Sequence, residues 1–399
     1  MRKSPRKSHF YPKGIESWWW NKAIGKWPDA SDARILNLLR EEITSQSDFF
    51  NKTRDFSSPS YGSRDLSILA YGNFFFPRTW MQNSFVLAET IDLRGWKPPR
   101  KGPVRILDLG AGSGPAGLAA LHILRGRGIT NPIELQAIDY SSKSLAHLRS
   151  IHADNTHLWP QSAVETKCLD LKKNLPHKIR HACDLILLSS SLNEISSGED
   201  HTLIARHLAE IGKLLKPSGF LVVVEPALKI LCQRLHGAAR ILAETNDLHL
   251  HGPYFNGLSC PFVSSKSRYH SHEVRRRIPP ENMRKLNEPL GLSIEDVKFG
   301  FILVSQKEPI PFDNDASVLR LVSPLTKKKG AYRFVGIGGD AKERSYEIQV
   351  RNLRKEDQVF MESFERGDVL RLLEWESLYE DSRIRIPNKK AMEILWSPS

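Results

Sequence analysis

The chain has 399 residues, with 58 lysines and arginines against 45 acidic residues and a formal charge of +13. A hydrophobic content of 40% excludes a disordered chain, and no apolar run reaches the roughly 20 residues needed to span a bilayer. The length leaves room for two or three domains, and the charge points to a polyanionic partner, of which nucleic acid is the commonest.

The N-terminus, "MRKSPRKSHFYPKG", has no acidic residue before Glu16 and lacks the apolar core of a secretory signal. It reads either as a short organellar presequence or as a basic arm that touches phosphate. Residues 1–100 read as a helical region. "SDARILNLLREEI" begins with a capping residue, Ser31 or Asp32, and repeats Ile35, Leu38, Leu39 and Ile43 at helical spacing. "DLSILAYGNFFFPRTWMQNSFVLAETI" carries a second helical pattern with a break expected near Pro77. Trp18, Trp19 and Trp20 read as a packing anchor. The proline-rich, basic "WKPPRKGP" (96–103) marks a domain boundary.

From 101 to 311 short apolar runs alternate with helical patterns. "VRILDLG", "IELQAID", "ETKCLDL", "CDLILLSSS" and "FLVVVEP" are expected strands, and "EDVKFGFILVSQKEP" a further strand or strand pair at the sheet edge. Such alternation implies an α/β domain whose parallel sheet is covered on both faces. Residues 246–285 read as an irregular, basic insertion. After Pro311 the pattern changes to short strands separated by turns such as "KKKG" and "GGD". Residues 312–399 are therefore expected to form a small β-barrel of the OB type that binds RNA.

"ILDLGAGSGPAG" (106–117) is the most specific signal. It leaves an expected strand and enters an expected helix, so Gly110, Gly112 and Gly114 can turn tightly and let the backbone approach a ligand. The ligand should lie beyond the carboxyl ends of the strands. Asp108 stands two positions ahead of Gly110. The D-L-G-x-G-x-G pattern resembles motif I of class I methyltransferases, which implies a Rossmann-like fold and an acid facing the methionine part of S-adenosylmethionine. Asp139, ending the second strand, suits the ribose hydroxyls. Asp170, after the third, is where methyltransferases often contact adenine, although taken alone that residue reads better as a capping or turn aspartate. No catalytic residue follows. The turn after the fourth strand reads "SSSLNEI" and the turn after the fifth "VEPAL", with neither a nucleophilic cysteine nor an Asn-Pro-Pro turn. Asn193, Glu194 and Glu225 read as caps or ion-pair partners.

Several segments together resemble the Rsm22, or methyltransferase-like seventeen, family: "AYGNFFFPRTW", "ILDLGAGSGPAGLAAL", "GPYFNGLSCPF" with "RYHSHEVRRR", "LNEPLGLSIEDVKFGFILVSQKEP" and "LRLVSPLTKKKGAYRF". The resemblance runs over about residues 60–340. It implies an S-adenosylmethionine-binding protein that contacts ribosomal RNA and assists assembly of the small ribosomal subunit. An active RNA methyltransferase and a small-molecule methyltransferase are the alternatives. The expected setting is the bacterial cytoplasm, with the mitochondrial matrix as the alternative, and the expected state is a monomer.

The resemblance also implies an iron–sulfur cluster on four cysteines. Here those positions fall on Tyr254, Cys260, His270 and Ile337 or Gly338. One thiolate with at best one imidazole cannot complete such a ligand set, so no cluster is expected. The four cysteines, Cys168, Cys183, Cys232 and Cys260, form no CxxC pair, which excludes a disulfide framework and a zinc ribbon. Zinc on His251, Cys260, His270 and His272 is disfavoured by their irregular spacing. The basic stretch instead points to RNA, through Lys266, Arg268, Arg275, Arg276 and Arg277, with Lys327, Lys328 and Lys329 as a second phosphate contact.

Overall fold

The computed structural model describes residues 11–50, 61–173, 182–196, 198, 200–245, 248–263 and 269–397. Helix α1 (Lys13–Lys26) carries the tryptophan cluster. Trp18 and Trp19 are buried, with Trp19 packed edge-on against Phe76, which bears out the packing role. Helix α2 (Asp32–Asp48) starts at Ser31, whose hydroxyl accepts the Arg34 N–H at 3.4 Å, and turns Ile35, Leu39 and Ile43 inward.

Helix α3 (Asp65–Ala70), one π-helical turn (Tyr71–Phe75) and α4 (Phe76–Asp92) follow without interruption. The break expected near Pro77 is therefore a widened turn, not a helix end. Proline is tolerated in the first turn of α4, where its missing N–H costs least.

The α/β region contains β1 (Val104–Leu109), α5 (Pro115–Gly126), β2 (Ile133–Asp139), α6 (Ser142–Asp154), β3 (Ser162–Cys168), β4 (Cys183–Ser189), α7 (Leu192–Ile195), α8 (His201–Gly212), β5 (Leu215–Pro226), α9 (Lys229–Thr245), β6 (His249–Gly252), β7 (Glu273–Arg276), α10 (Glu281–Asn287) and β8 (Asp296–Ser305). The sheet order is β3-β2-β1-β4-β5-β8-β6, with β7 also on β8. Strands β1 to β5 pair with one another in parallel. β8 runs antiparallel to β5, with Val222 opposite Leu303. The order reverses between β1 and β4, the place where open α/β sheets bind ligands.

Strand alternation divides the apolar residues between two cores. Ile106, Leu185, Leu187, Val222 and Val224 face α4 and α5, whereas Leu107, Ile186, Leu188, Leu221 and Val223 face α8 and α9. Burial on both faces explains why these strands read as nearly continuous apolar runs. Trp19, Phe76 and Trp80 of the N-terminal helices belong to the first core. The boundary expected at 96–103 thus separates no second core: Trp96 is buried and its Nε1 donates to the Asp184 carbonyl at 3.1 Å. The stretch 246–285, expected to be irregular, supplies β6, β7 and α10.

The C-terminal region contains β9 (Val318–Leu321), β10 (Thr326–Lys328), β11 (Ala331–Gly338), β12 (Glu343–Gln349), α11 (Lys355–Glu362), β13 (Val369–Leu372), β14 (Glu376–Leu378), β15 (Arg383–Ile386) and β16 (Met392–Trp396). Its sheet order is β14-β15-β12-β11-β9-β13-β16, with β10 on β11. Leu319, Tyr346, Ile348, Met361, Leu370 and Ile384 form its core. Among the described residues the end strands β14 and β16 do not pair, so the sheet is open and the expected closed barrel is not found. Short strands are visible in residue spacing, but closure depends on strand tilt and stagger, which spacing does not encode.

A buried ionic clasp joins the two regions. Glu89 of α4 accepts from Arg94 Nη2 at 2.6 Å and from Arg320 of β9 at 2.9 Å through each carboxylate oxygen. Arg320 Nε also donates to Glu273 of β7 at 3.1 Å. Arg275 Nη1 donates to Asp368 at 2.9 Å. Arg94 continues to the carbonyls of Pro253 and Tyr254, at 2.7 and 2.9 Å.

Candidate functional site

The glycine loop lies between β1 and α5. Gly110 and Gly112 have φ of +74° and +54°, values that favour glycine. A Cβ on Gly110 would stand 2.3 Å from the Ser191 Cβ, whereas one on Gly112 would meet nothing within 4 Å. Gly110 is thus required by packing, and Gly112 by its backbone and by the open space in front of it. Gly114, at φ +88°, caps α5.

The loop forms the floor of a cavity of about 840 Å³ that also takes in Asp108, Asp139 and Asp170, a size within the range of small-molecule sites. The three aspartates and Gly110 and Gly112 predicted from sequence therefore converge on one cleft. Asp108 is buried. Its Oδ2 accepts the Gly117 N–H at 2.9 Å, while Oδ1 has no hydrogen-bond partner among the described residues. Burial drives its pKa up to about 7, the Gly117 N–H opposes the rise, and Asp139 adds to it. Asp139 accepts the Gly112 N–H at 2.9 Å and the Ser141 N–H at 2.8 Å, and burial raises its pKa as well. Asp170 accepts the Lys172 N–H at 3.0 Å, a turn-capping contact at the cavity edge. Ser113, within the glycine loop, has a buried hydroxyl without a hydrogen-bond partner among the described residues and also lines the cleft.

These features fit a cationic, hydroxyl-bearing ligand such as S-adenosylmethionine. A buried carboxylate lacks a counter-charge, a second carboxylate sits at the end of β2, and the backbone opens toward both. Asn193 and Glu225 are tied to each other, with Asn193 Nδ2 donating to Glu225 Oε2 at 2.7 Å.

The basic segment is placed differently from expectation. Lys266 and Arg268 lie outside the described residues. Arg275 is 1% exposed, paired with Asp368, and set 5.6 Å from the Trp396 ring centroid, so it belongs to the clasp and is closed to phosphate. Alternation on β7 explains this: Glu273 and Arg275 point inward and Arg276 outward. Arg277 is largely covered, over the Phe85 ring at 4.7 Å and 3.3 Å from Glu365. Arg276 remains exposed. Lys327, Lys328 and Lys329 are exposed on β10 and the turn after it, and Lys327 lies 5.1 Å from the Tyr332 ring centroid.

Tyr254, Cys260 and Ile337 come together in one apolar cluster with Phe262 and Val263. Burial pushes the Cys260 thiol up to about 11, and the Tyr254 hydroxyl donates to Ser271 at 2.9 Å. His270 turns its Nε2 to the Ala227 carbonyl at 3.2 Å. A phenol, an isoleucine and one high-pKa thiol are not a donor set for an iron–sulfur cluster. His251 is engaged elsewhere, 2.8 Å from the Lys307 carbonyl. Among the described residues no three of His, Cys, Asp or Glu gather as a metal site, and no helix is long and apolar enough to cross a membrane.

Among solved structures, the chain is similar to a putative S-adenosylmethionine-dependent methyltransferase from Methanococcus maripaludis (18% identity, 58% of this chain and 88% of that chain, TM-score 0.29). It is also similar to the CMeT domain of the citrinin polyketide synthase (15%, 75% and 80%, TM-score 0.35). A third is an arsenic(III) S-adenosylmethionine methyltransferase from Chlamydomonas reinhardtii (15%, 60% and 80%, TM-score 0.30). No curated protein matches the chain. The family model described as "Mitochondrial small ribosomal subunit Rsm22" matches residues 69–335, which is more than half of the chain and includes the π-helical turn, α4, the glycine loop and the start of the C-terminal sheet. The chain belongs to the Rsm22 family.

Proposed function

We propose that this protein is a methyltransferase-like, S-adenosylmethionine-binding factor that contacts ribosomal RNA of the small subunit and assists its assembly. The observation that carries this reading is Asp108, a buried carboxylate with one oxygen unpartnered, at the floor of a glycine-loop cleft in an Rsm22-family chain. Asp108 would face the cationic methionine part of the cofactor, Asp139 the ribose and the Asp170 edge the adenine. When bound, the cofactor supplies an electrophilic methyl group. No residue of this chain is assigned to its transfer, and the Asn193–Glu225 pairing supports a binding role over a catalytic one.

The family's printed name favours the mitochondrion over the bacterial cytoplasm. For the RNA surface, the exposure of Arg276, Lys327, Lys328 and Lys329 and the +13 charge support contact with phosphate, with Lys266 and Arg268 as further candidates. The test is crosslinking in cells followed by sequencing of the bound RNA. Enrichment of small-subunit ribosomal RNA is expected. Recovery of no RNA, or of RNA in proportion to its abundance, contradicts the reading.

A further inference from the structure

The cleft has a second half that the cofactor reading does not use. Asp108, Asp139 and Asp170 stand at the ends of β1, β2 and β3. The same cavity extends past the end of β5 to Leu228 and Lys298. Three strand spacings separate β1 from β8, roughly 14 Å across the sheet. The cavity is roofed by the π-helical turn and the first two turns of α4, which contribute Tyr71, Phe75, Arg78 and Gln82 to its lining.

Three features distinguish this roof from ordinary packing. First, the π turn is locally built in. Gly72 has no room for a side chain, because a Cβ would stand 2.2 Å from the Trp19 ring. Trp19 therefore packs directly on the turn and holds it against the first core. Single π turns inside helices recur at functional sites. Second, Tyr71 and Phe75 stack with ring centroids 6.0 Å apart and planes at 27°, and Phe50 meets Phe75 edge-on at 5.4 Å. All three rings line the cavity. Third, Arg78 lines the cavity with no hydrogen bond or ion pair shown among the described residues, although burial pulls its pKa below the ordinary guanidinium value. The buried guanidiniums of Arg94, Arg275 and Arg320 each have a carboxylate partner. Gln82, one turn on, donates to the Lys298 carbonyl at 3.0 Å, which fixes α4 beside β8.

An unpartnered guanidinium lining a cavity calls for an oxyanion, and planar rings beside it call for a planar group. We propose that Tyr71, Phe75 and Arg78 form a nucleotide subsite, in which an unstacked RNA base lies against the rings and its phosphate meets Arg78, with Lys298 at the outer edge. The subsite rests on the RNA-binding reading above and gives that RNA an entry into the cofactor cleft. Tyr71 lies near enough to Asp108 and Asp139 to feel their charge, so the subsite borders the cofactor's half of the cleft, whereas Arg78 stands one helical turn from Gln82, which reaches β8.

The test uses the full chain and a short single-stranded RNA carrying 2-aminopurine, whose fluorescence falls when the base stacks. Arg78→Gln should weaken RNA binding roughly tenfold and reduce the salt slope by about 0.7, the value of one lost single-strand phosphate contact. Arg78→Lys should recover part of the affinity. Phe75→Leu should remove most of the quenching with a smaller loss of affinity. Calorimetry with S-adenosylmethionine should give the wild-type affinity for all three, which also reports that they fold. Unchanged RNA affinity, slope and quenching in variants that still bind S-adenosylmethionine would overturn the subsite while leaving the general reading intact. Loss of S-adenosylmethionine affinity in Arg78→Gln with RNA binding retained would also overturn it, because the guanidinium would then serve the cofactor's carboxylate. Wild-type protein that binds neither ligand would remove both proposals.

Discussion

Asp108 and Glu89 are equally buried carboxylates, each 1% exposed, and the fold treats them in opposite ways. Burial works against the charge on Glu89, but Arg320 and Arg94 outweigh it and hold its pKa below the ordinary value. Asp108 has a single backbone donor and no cation, and burial carries its pKa up to about 7. A buried charge is tolerable only with a partner. The clasp therefore contains its partners, and the cleft lacks one that a cationic ligand can supply. The same contrast separates Arg275, closed by Asp368, from Arg78, which has no partner among the described residues.

The largest effect should come from opening the clasp. Arg320→Ala leaves Glu89 and Glu273 without their shared cation and should cost about 3–5 kcal/mol, read as a lower urea midpoint. Arg275→Glu should be similarly damaging, because it sets three acids together. The pH dependence follows from the direction of the Glu89 shift. Its pKa is lower folded than unfolded, so its contribution is complete above the ordinary value of 4.5 and is lost as the pH falls below it. Wild-type protein should lose stability on that side, and an Arg320→Ala variant should lose less of it there.

Asp108→Asn should behave in the reverse way. A carboxylate with a raised folded pKa destabilises the empty protein as pH rises from its unfolded value of 3.8 to about 7. Removing the charge should therefore leave the melting temperature of the empty protein unchanged or higher on the alkaline side. A lowered melting temperature there would show that Asp108 is structural. The smallest effect is expected of Arg276→Glu, at the exposed neighbour of Arg275. Stability should stay within about 0.5 kcal/mol, while the salt slope of RNA binding falls by roughly one contact. An unchanged slope would remove Arg276 from the RNA surface.

Much of this contrast was legible in residue order. Strand and helix alternation, the glycine loop and the positions of Asp108 and Asp139 depend on local spacing, and the structure brings them to one cleft. The tryptophan cluster was likewise readable, because three adjacent large rings must pack. What was not legible depended on distant partners. "EVRRR" reads as a basic run, but on β7 it alternates, and Asp368, far along the chain, receives Arg275. Arg78 carried no charge-run signal, and Pro77 beside it suggested a helix end instead of the π turn. Closure of the C-terminal strands likewise depends on long-range stagger, so short strands with turns do not say whether their sheet closes into a barrel.

Calorimetric titration of S-adenosylmethionine as a function of pH tests the central claim most directly. The ligand's cationic part favours ionised Asp108, so affinity should be greatest above pH about 7 and should weaken as the pH falls through that value. Asp108→Asn should bind roughly tenfold more weakly or worse and lose the pH dependence. Absence of binding at millimolar ligand, or equal affinity and equal pH dependence in wild type and Asp108→Asn, would contradict the account.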